Sequence, residues 1–202
     1  MKKTDYHSNE NDFRFHRRIQ TLASMGSHKS KIDPTVLTPK QIEVLTANTN
    51  LSEGEIVQWH EGFIRDCPNG RLDKKKFLQV YEQFYPGGNA KAYCKYAFDA
   101  FDQNDDGTID FTEFLLCVAA TKGGDIDQRL AFAFDLYDIS DDEEIEQKEL
   151  VKMITALYQL NGVADHSGPN SPKTRAAEIL AALDAGGDRK LTKQEFIAGY
   201  VL

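Results

Sequence analysis

Three features of the sequence predict an all-α fold made of four helix–loop–helix units arranged in two paired lobes. Helix-capping signals recur along the chain, no segment alternates between apolar and polar residues over the length of a strand, and one residue pattern repeats four times. The chain has 202 residues, of which 41% are hydrophobic and 28% are charged. This is the composition of an ordinary globular protein with a core.

Capping residues mark where the predicted helices begin. Thr38, Pro39 and Gln41 have the spacing of an N-cap, a proline in the first turn and the glutamine of a capping box. Ser52 and Glu55 form a second capping box in the same spacing. We therefore expect helices to start at about residues 39 and 53.

Glycines and charge divide the chain into three parts. Gly123–Gly124 is the candidate hinge, so we assign residues 35–122 to an N-lobe and residues 123–202 to a C-lobe, preceded by an extension at residues 1–34. Residues 1–31 hold seven bases and three acids, a net charge of +4, whereas residues 32–202 hold 17 bases and 29 acids, a net charge of −12. Two interpretations of the basic extension stay open: a flexible, solvated tail, or an arm attracted to anionic lipid.

Composition excludes several classes of protein. The formal net charge of −8, from 32 acidic and 24 basic residues, argues against nucleic-acid binding. The longest apolar run, Phe114 to Ala120, has seven residues, whereas a membrane-spanning helix needs about 20. An odd number of cysteines in a chain of this size indicates reduced, inert thiols in a cytosolic protein. The cysteines are Cys67, Cys94 and Cys117.

The repeated pattern is a 12-residue loop between two amphipathic helices. In each copy the aliphatic residue at loop position 8 is followed four positions later, at position 12, by a charged residue, and a hydrophobic residue comes directly after that. The four loops begin at Arg65, Asp102, Asp138 and Asp184.

The second loop, residues 102–113, fits the EF-hand calcium-binding loop at every defining position. Calcium is a hard cation that takes about seven oxygen ligands at roughly 2.4 Å. Gly107 permits the sharp turn at positive φ, and Ile109 is expected to pair with Leu72 of the first loop in a short β-bridge. The alternative is an acidic loop that only caps a helix, because Asp110 and Glu113 also form a capping box. The predicted ligands are Asp102, Asn104, Asp106, Thr108, Asp110 and Glu113.

The third loop, residues 138–149, is predicted to be a weaker calcium site. It has Glu143 where the template has glycine, and a left-handed backbone at a non-glycine residue costs about 1–2 kcal/mol. Seven acidic residues in this loop repel one another, and a bound cation would relieve that repulsion. The predicted ligands are Asp138, Ser140, Asp142, Glu144 and Glu149.

The first and fourth loops are predicted to bind no metal. In the first loop, cations stand at both end positions, Arg65 and Lys76, so the loop is expected to act as a scaffold for the second. The fourth loop has Gly186 at position 3 and Arg189 at position 6, and Glu195 can serve a capping box without metal.

Three segments carry a family resemblance: residues 59–70, which contain the Cys67–Pro68 pair, residues 83–88 and residues 107–114. They resemble the neuronal calcium sensor family, the group that includes recoverin, neurocalcin and frequenin, in which a Cys-Pro pair disables the first loop. The resemblance implies calcium as the cofactor and an N-lobe groove that opens on calcium to hold the helix of a target protein. Simple core packing is the alternative for the groove residues. These candidates are Trp59, Phe63, Tyr81, Phe84 and Tyr85.

The resemblance also implies N-myristoylation. Residues 25–30 fit the acceptor pattern, so Gly26 is the candidate lipidation site if translation begins at Met25; otherwise residues 1–24 are an extension that removes the lipid. We expect a cytoplasmic protein, with peripheral membrane contact in the lipidated form. The chain departs from the family in its compromised third and fourth loops and in ending seven residues after Glu195, before the usual C-terminal tail.

The sequence thus predicts a calcium sensor that binds the ion mainly through the second loop and engages a target helix. One alternative is a calcium-insensitive structural adaptor resembling a light chain, which the degenerate C-lobe loops favour. A calcium buffer is a second alternative, although one good site makes it inefficient. No enzyme and no small-molecule substrate are predicted, because the five histidines lack metal-ligand or triad spacing and no glycine-rich phosphate loop follows a strand.

Overall fold

The computed structural model describes residues 33–122, 125–164 and 166–200. The predicted hinge at Gly123–Gly124, the lipidation candidate Gly26 and nearly all of the basic extension lie outside these residues. Within the described residues, nine α-helices alternate with four short β-strands. The prediction of an all-α fold with four EF-hand motifs in two pairs is confirmed. None of the described helices is long and apolar enough to cross a membrane.

The first pair of EF-hands is built from five helices and two strands. In chain order they are α1 (Pro39–Asn48), α2 (Glu53–Asp66), β1 (Leu72–Asp73), α3 (Lys74–Phe84), α4 (Lys91–Phe101), β2 (Thr108–Ile109) and α5 (Phe111–Lys122).

The second pair follows with four helices, a short 3₁₀ turn and two strands. They are α6 (Ile126–Tyr137), β3 (Glu144–Glu146), α7 (Gln147–Leu160), the 3₁₀ turn (Gly168–Asn170), α8 (Pro172–Leu183), β4 (Lys190–Thr192) and α9 (Lys193–Tyr200).

The predicted capping boxes form at the first two helices. The Thr38 backbone N–H donates to Gln41 Oε1 at 3.0 Å, and the Thr38 hydroxyl accepts from the Gln41 N–H at 3.3 Å. The Ser52 N–H donates to Glu55 Oε2 at 2.8 Å in the same arrangement. Each such cap stabilises its helix by about 1 kcal/mol, because it satisfies backbone donors that have no partner inside the helix.

Antiparallel β-bridges join the two loops of each pair. Leu72 pairs with Ile109, as predicted, and Ile145 pairs with Leu191 at the equivalent place in the second pair. All four side chains are buried, so each bridge also anchors its loops in a hydrophobic core. The loops of a pair therefore lie side by side, and groups on one loop reach those on the other.

The first loop begins later than the repeat predicts. Helix α2 continues through Asp66, so Arg65 lies in the helix, and the N–H of Cys67 still donates to Phe63 O at 2.7 Å. In the second loop Asp102 ends the preceding helix, because its carboxylate accepts loop N–H groups. An arginine cannot accept such bonds, so the helix runs on until Pro68, which has no N–H to continue it.

The two pairs of EF-hands pack against each other. Leu160 at the end of α7 is 3% exposed and belongs to the core of the first pair. The Asn89 N–H donates to Gln159 O at 2.7 Å, and a Cβ added to Gly88 would lie only 1.7 Å from Leu160 O. Only glycine fits at residue 88 without movement of the backbone, so this close approach fixes how the pairs meet.

Candidate calcium-binding loops

The second loop is held in shape by its own first residue. The Asp102 carboxylate, 4% exposed, accepts the Asp106 N–H at 3.0 Å and the Gly107 N–H at 2.9 Å. Gly107 has φ of +84° and Asp105 has φ of +54°, so the chain turns sharply between them. The position-6 glycine therefore performs the role that the sequence pattern predicts.

Glu113 closes the loop from the other end. Its Oε1 accepts the Asn104 side-chain Nδ2–H at 2.7 Å, and its Oε2 accepts the Asp110 N–H at 2.9 Å. The carboxylate is only 3% exposed. Burial, reinforced by the nearby Asp110 charge, raises the pKa of Glu113 to about 8. The loop thus contains a buried acid whose charged form is poorly compensated, which is the setting that a bound cation relieves.

The other predicted ligands of the second loop have contrasting environments. Burial raises the pKa of Asp102 and of Asp110. Burial also acts to raise the pKa of Asp106, but hydrogen bonds from Thr108 and Arg71 outweigh it, and the net shift is downward. Asp106 is therefore the acidic ligand whose negative charge the protein already compensates.

The predicted ligands share one loop, but their carboxylates are not gathered around a single point. Across the described ranges, no three His, Cys, Asp or Glu side chains come close enough to form a metal site by themselves. EF-hand sites also draw on amide and backbone oxygens, here those of Asn104 and Thr108. The donor set therefore fits calcium, provided that Glu113 exchanges its present hydrogen bond from Asn104 for the ion.

Arg71 is the residue of this loop pair that the sequence analysis missed. Its Nη1 donates to Asp106 Oδ2 at 2.6 Å and to Thr108 Oγ1 at 2.7 Å, although it belongs to the first loop. The Leu72–Ile109 bridge places the two loops in a register that allows this contact. Arg71 stands one position before the predicted bridge, so the sequence signal was present.

The third loop repeats the hydrogen bonds of the second. The Glu143 N–H donates to Asp138 Oδ2 at 2.9 Å, and Glu149 Oε1 accepts the Ser140 hydroxyl at 2.7 Å. Glu149 is 1% exposed, and burial raises the pKa of Asp138 to about 6. Glu143 has φ of +67°, so it adopts the left-handed backbone that the sequence analysis regarded as costly. The cost is therefore already present in this conformation of the loop.

The fourth loop has a similar backbone but satisfies its own acid. Glu195 is partly exposed; its Oε2 accepts the Thr192 N–H at 3.0 Å and its Oε1 accepts the Gly186 N–H at 2.9 Å. These bonds, those from Thr192 first, lower the pKa of Glu195. Arg189 at position 6 has φ of +68°. The loop hydrogen bonds thus stabilise the charged form of Glu195, whereas burial disfavours the charged form of Glu113.

The five aromatic groove candidates differ widely in exposure. Phe63 is 6% exposed and packs in the core, its ring 5.2 Å from that of Phe114. Trp59 lies beside the same ring at 6.1 Å. Phe84 is 75% exposed and Tyr85 37%, both at the end of α3. Tyr81, partly buried, stacks on Tyr85 and is tilted against Phe77 and Tyr93.

Known proteins resemble this chain over most of its length. A family model described as an EF-hand domain pair matches residues 127–201. Neuronal calcium sensor 1 of Lymnaea stagnalis is 40% identical over 177 residues, which cover 87% of this chain and 90% of that protein. S-modulin of Aquarana catesbeiana is 35% identical over 88% of each chain, and human recoverin is 35% identical over 87% of this chain and 88% of its own.

Proposed function

Because this chain belongs to the neuronal calcium sensor family of EF-hand proteins, we propose that it is a calcium sensor whose main site is the second loop. Calcium is the cofactor of that family's EF-hands. The proposed ligands are the six named from the sequence: Asp102, Asn104, Asp106, Thr108, Asp110 and Glu113.

The observation that carries this proposal is the state of Glu113. It is buried, and burial with the neighbouring Asp110 charge raises its pKa to about 8, so the hydrogen bonds that it accepts from Asn104 and Asp110 compensate its negative charge only in part. Glu195 stands at the same position of the fourth loop with a lowered pKa. Calcium would therefore relieve more unfavourable electrostatic energy at the second loop than at the fourth.

The third loop is proposed as a second, weaker site. Glu149 is as deeply buried as Glu113, and burial raises the pKa of Asp138 to about 6. The loop offers the serine hydroxyl of Ser140 where the second loop offers an asparagine amide. Its ligand set is Asp138, Ser140, Asp142, Glu144 and Glu149.

The second loop is connected directly to the aromatic residues of the first pair. Glu113 lies in the first turn of α5, and the next residue, Phe114, packs on Trp59 and Phe63. A change in the hydrogen bonds of Glu113 therefore acts on the helix that carries this aromatic contact. Trp59 is thus a built-in fluorescent reporter of the state of the second loop.

The proposed readout is the binding of an amphipathic helix from a target protein. Phe84 and Tyr85 at the end of α3 are exposed, and Val80, one turn earlier, is 39% exposed. Val80 and Phe84 are four residues apart and so lie on one side of the helix, and with the adjacent Tyr85 they form the apolar surface that we propose for the target. The buried Phe63 would contribute only if the lobe opened further.

A structural adaptor is the second candidate function, and the fourth loop favours it for the C-lobe. Glu195 there is satisfied by loop hydrogen bonds alone, so this loop keeps its shape without an ion. The relatives named above include a neuronal calcium sensor, and we expect no catalytic activity of this chain.

Calcium titration of the whole chain tests the proposal. Calorimetry and Trp59 fluorescence are followed in wild type, Glu113→Gln and Glu195→Gln, the last being the matched change in the fourth loop. We expect the dominant site, in the roughly 10⁻⁷–10⁻⁵ M range of sensor loops, to disappear in Glu113→Gln and to persist in Glu195→Gln. Unchanged titration of Glu113→Gln would transfer the function to another loop, and no response in any of the three proteins would favour the adaptor.

A further inference from the structure

In both pairs of EF-hands, the loop predicted not to bind metal extends a cation onto its partner. Arg71 occupies position 7 of the first loop and contacts Asp106 and Thr108 of the second. Lys190 occupies position 7 of the fourth loop; it forms an ion pair with Glu144 of the third and lies 3.9 Å from Glu146 Oε1. The arrangement recurs because the β-bridges of the two pairs have equivalent registers.

Arg71 contacts a residue that we propose as a calcium ligand. Its Nη1 lies 2.6 Å from Asp106 Oδ2, while Asp106 Oδ1 accepts the backbone and hydroxyl donors of Thr108. Both oxygens of the carboxylate are therefore engaged within the protein. A guanidinium stays charged at every physiological pH, so this positive charge is a permanent part of the loop.

A permanent cation at a ligand opposes a second cation at the same site. In the calcium-free loop, Arg71 lowers the repulsion among the five acidic residues of positions 1–12. Once calcium is bound, Arg71 repels the ion and shares a ligand with it. It therefore stabilises the calcium-free loop relative to the calcium-bound one.

We propose that Arg71 is an intramolecular counter-cation that lowers the calcium affinity of the second loop and so sets the concentration at which the sensor responds. This inference rests on the proposed function, because it requires calcium to bind at that loop. EF-hand affinity is tuned over several orders of magnitude by the charge of the ligands, and a cation supplied by the neighbouring loop changes that charge without changing any ligand.

The opposite role is also chemically reasonable: Arg71 could hold Asp106 ready for the ion. The two roles predict opposite changes in calcium affinity when Arg71 is replaced. If Arg71 acts as a counter-cation, its removal tightens calcium binding and weakens the calcium-free fold. If it positions Asp106, its removal loosens calcium binding. The Arg71–Asp106 pair is partly exposed, with 40% of the Arg71 side chain accessible, so salt screens the attraction. The effect of Arg71 on calcium affinity should therefore become smaller as the ionic strength rises.

The test compares calcium affinity in Arg71→Gln, Arg71→Lys and Lys74→Gln, each in the full-length chain. Lys74 is the matched control, because it lies in the same EF-hand but forms its ion pair with Asp99, which is no proposed ligand. We expect Arg71→Gln to bind calcium on the order of tenfold more tightly at low salt, with a smaller difference at 0.5 M salt. Arg71→Lys keeps the charge and should remain close to wild type, and Lys74→Gln should change affinity less than about twofold.

Stability without calcium supplies the second readout. Arg71→Gln should lower the urea midpoint of the chelator-treated protein. The substitution removes the Arg71–Asp106 ion pair, which among the described residues is the only ion pair between the first and second loops. Unchanged or weaker calcium binding in Arg71→Gln overturns the inference while leaving the calcium site intact. If wild type and Glu113→Gln titrate identically, the proposed site and this inference fail together.

Discussion

Replacement of Glu143 by glycine should stabilise the protein in the absence of calcium. Glu143 already has φ of +67°, a backbone that costs a non-glycine residue about 1–2 kcal/mol. Glycine removes this cost but makes the unfolded chain more flexible, which offsets about 0.5–1 kcal/mol. We therefore expect the free energy of unfolding to rise by about 0.5–1 kcal/mol. Glu143→Gln, which removes the charge and keeps the side chain, separates the backbone effect from charge repulsion.

The assay is urea unfolding of the two variants and wild type in excess chelator, followed by calcium titration. Because the left-handed backbone is present in the loop as described, its cost falls on folding and not on calcium binding. The calcium affinity of the third loop in Glu143→Gly should therefore match that of Glu143→Gln. A tenfold gain in affinity with no change in chelator-treated stability would refute this reasoning, because the loop would then adopt the strained backbone only on binding the ion.

Two further predictions concern packing and pH. Gly88→Ala should lower the free energy of unfolding by about 1–3 kcal/mol, because the added Cβ would overlap Leu160 O. Gly87→Ala is the control: its Cβ would lie in open space, so it should cost less than about 1 kcal/mol. Equal urea midpoints for the two variants would contradict the close approach of Gly88 to Leu160. Asp135 pairs with Lys193 at 3.0 Å, yet burial raises its pKa to about 6, above the 3.8 of an unperturbed aspartate. Between pH 4 and 6 the folded state therefore binds more protons than the unfolded state, and the protein loses stability as the pH rises through that window. Asp135→Asn should remove this pH-dependent loss of stability. The stability of the variant relative to wild type should therefore increase from pH 4 to pH 7, by at most about 3 kcal/mol. If urea unfolding shows the same difference between the two proteins at every pH, the raised pKa of Asp135 is excluded.

The fold could be predicted because its signals are short residue patterns, the helix caps and the repeated loop, which can be recognised without knowing the tertiary contacts. The capping boxes at Thr38 and Ser52 involve residues three positions apart, and the Leu72–Ile109 bridge follows from two copies of one repeat. Arg65 shows the limit of a template: the repeat predicts that the first loop begins at this residue, but the helix ends only where a side chain or a proline ends it.

The contacts at the candidate site were harder to predict than its residues. The acids and Gly107 could be assigned by position, but the partner of Asp106 depends on a side chain from another loop. The raised pKa of Glu113 depends on burial, which the sequence does not state residue by residue. The Glu143 backbone is a third case, since the sequence indicates the strain but not the state of the loop that bears it.

The place of Leu160 has a consequence for synthesis of the chain. This residue completes the core of the first pair of EF-hands, yet it is the last residue of α7, in the second pair. A nascent chain that ends at Lys122 already contains both loops of the first pair but not this side chain. The first pair should therefore reach its final packing only after α7 has left the ribosome, so that the two halves mature together and not in the order in which they are translated.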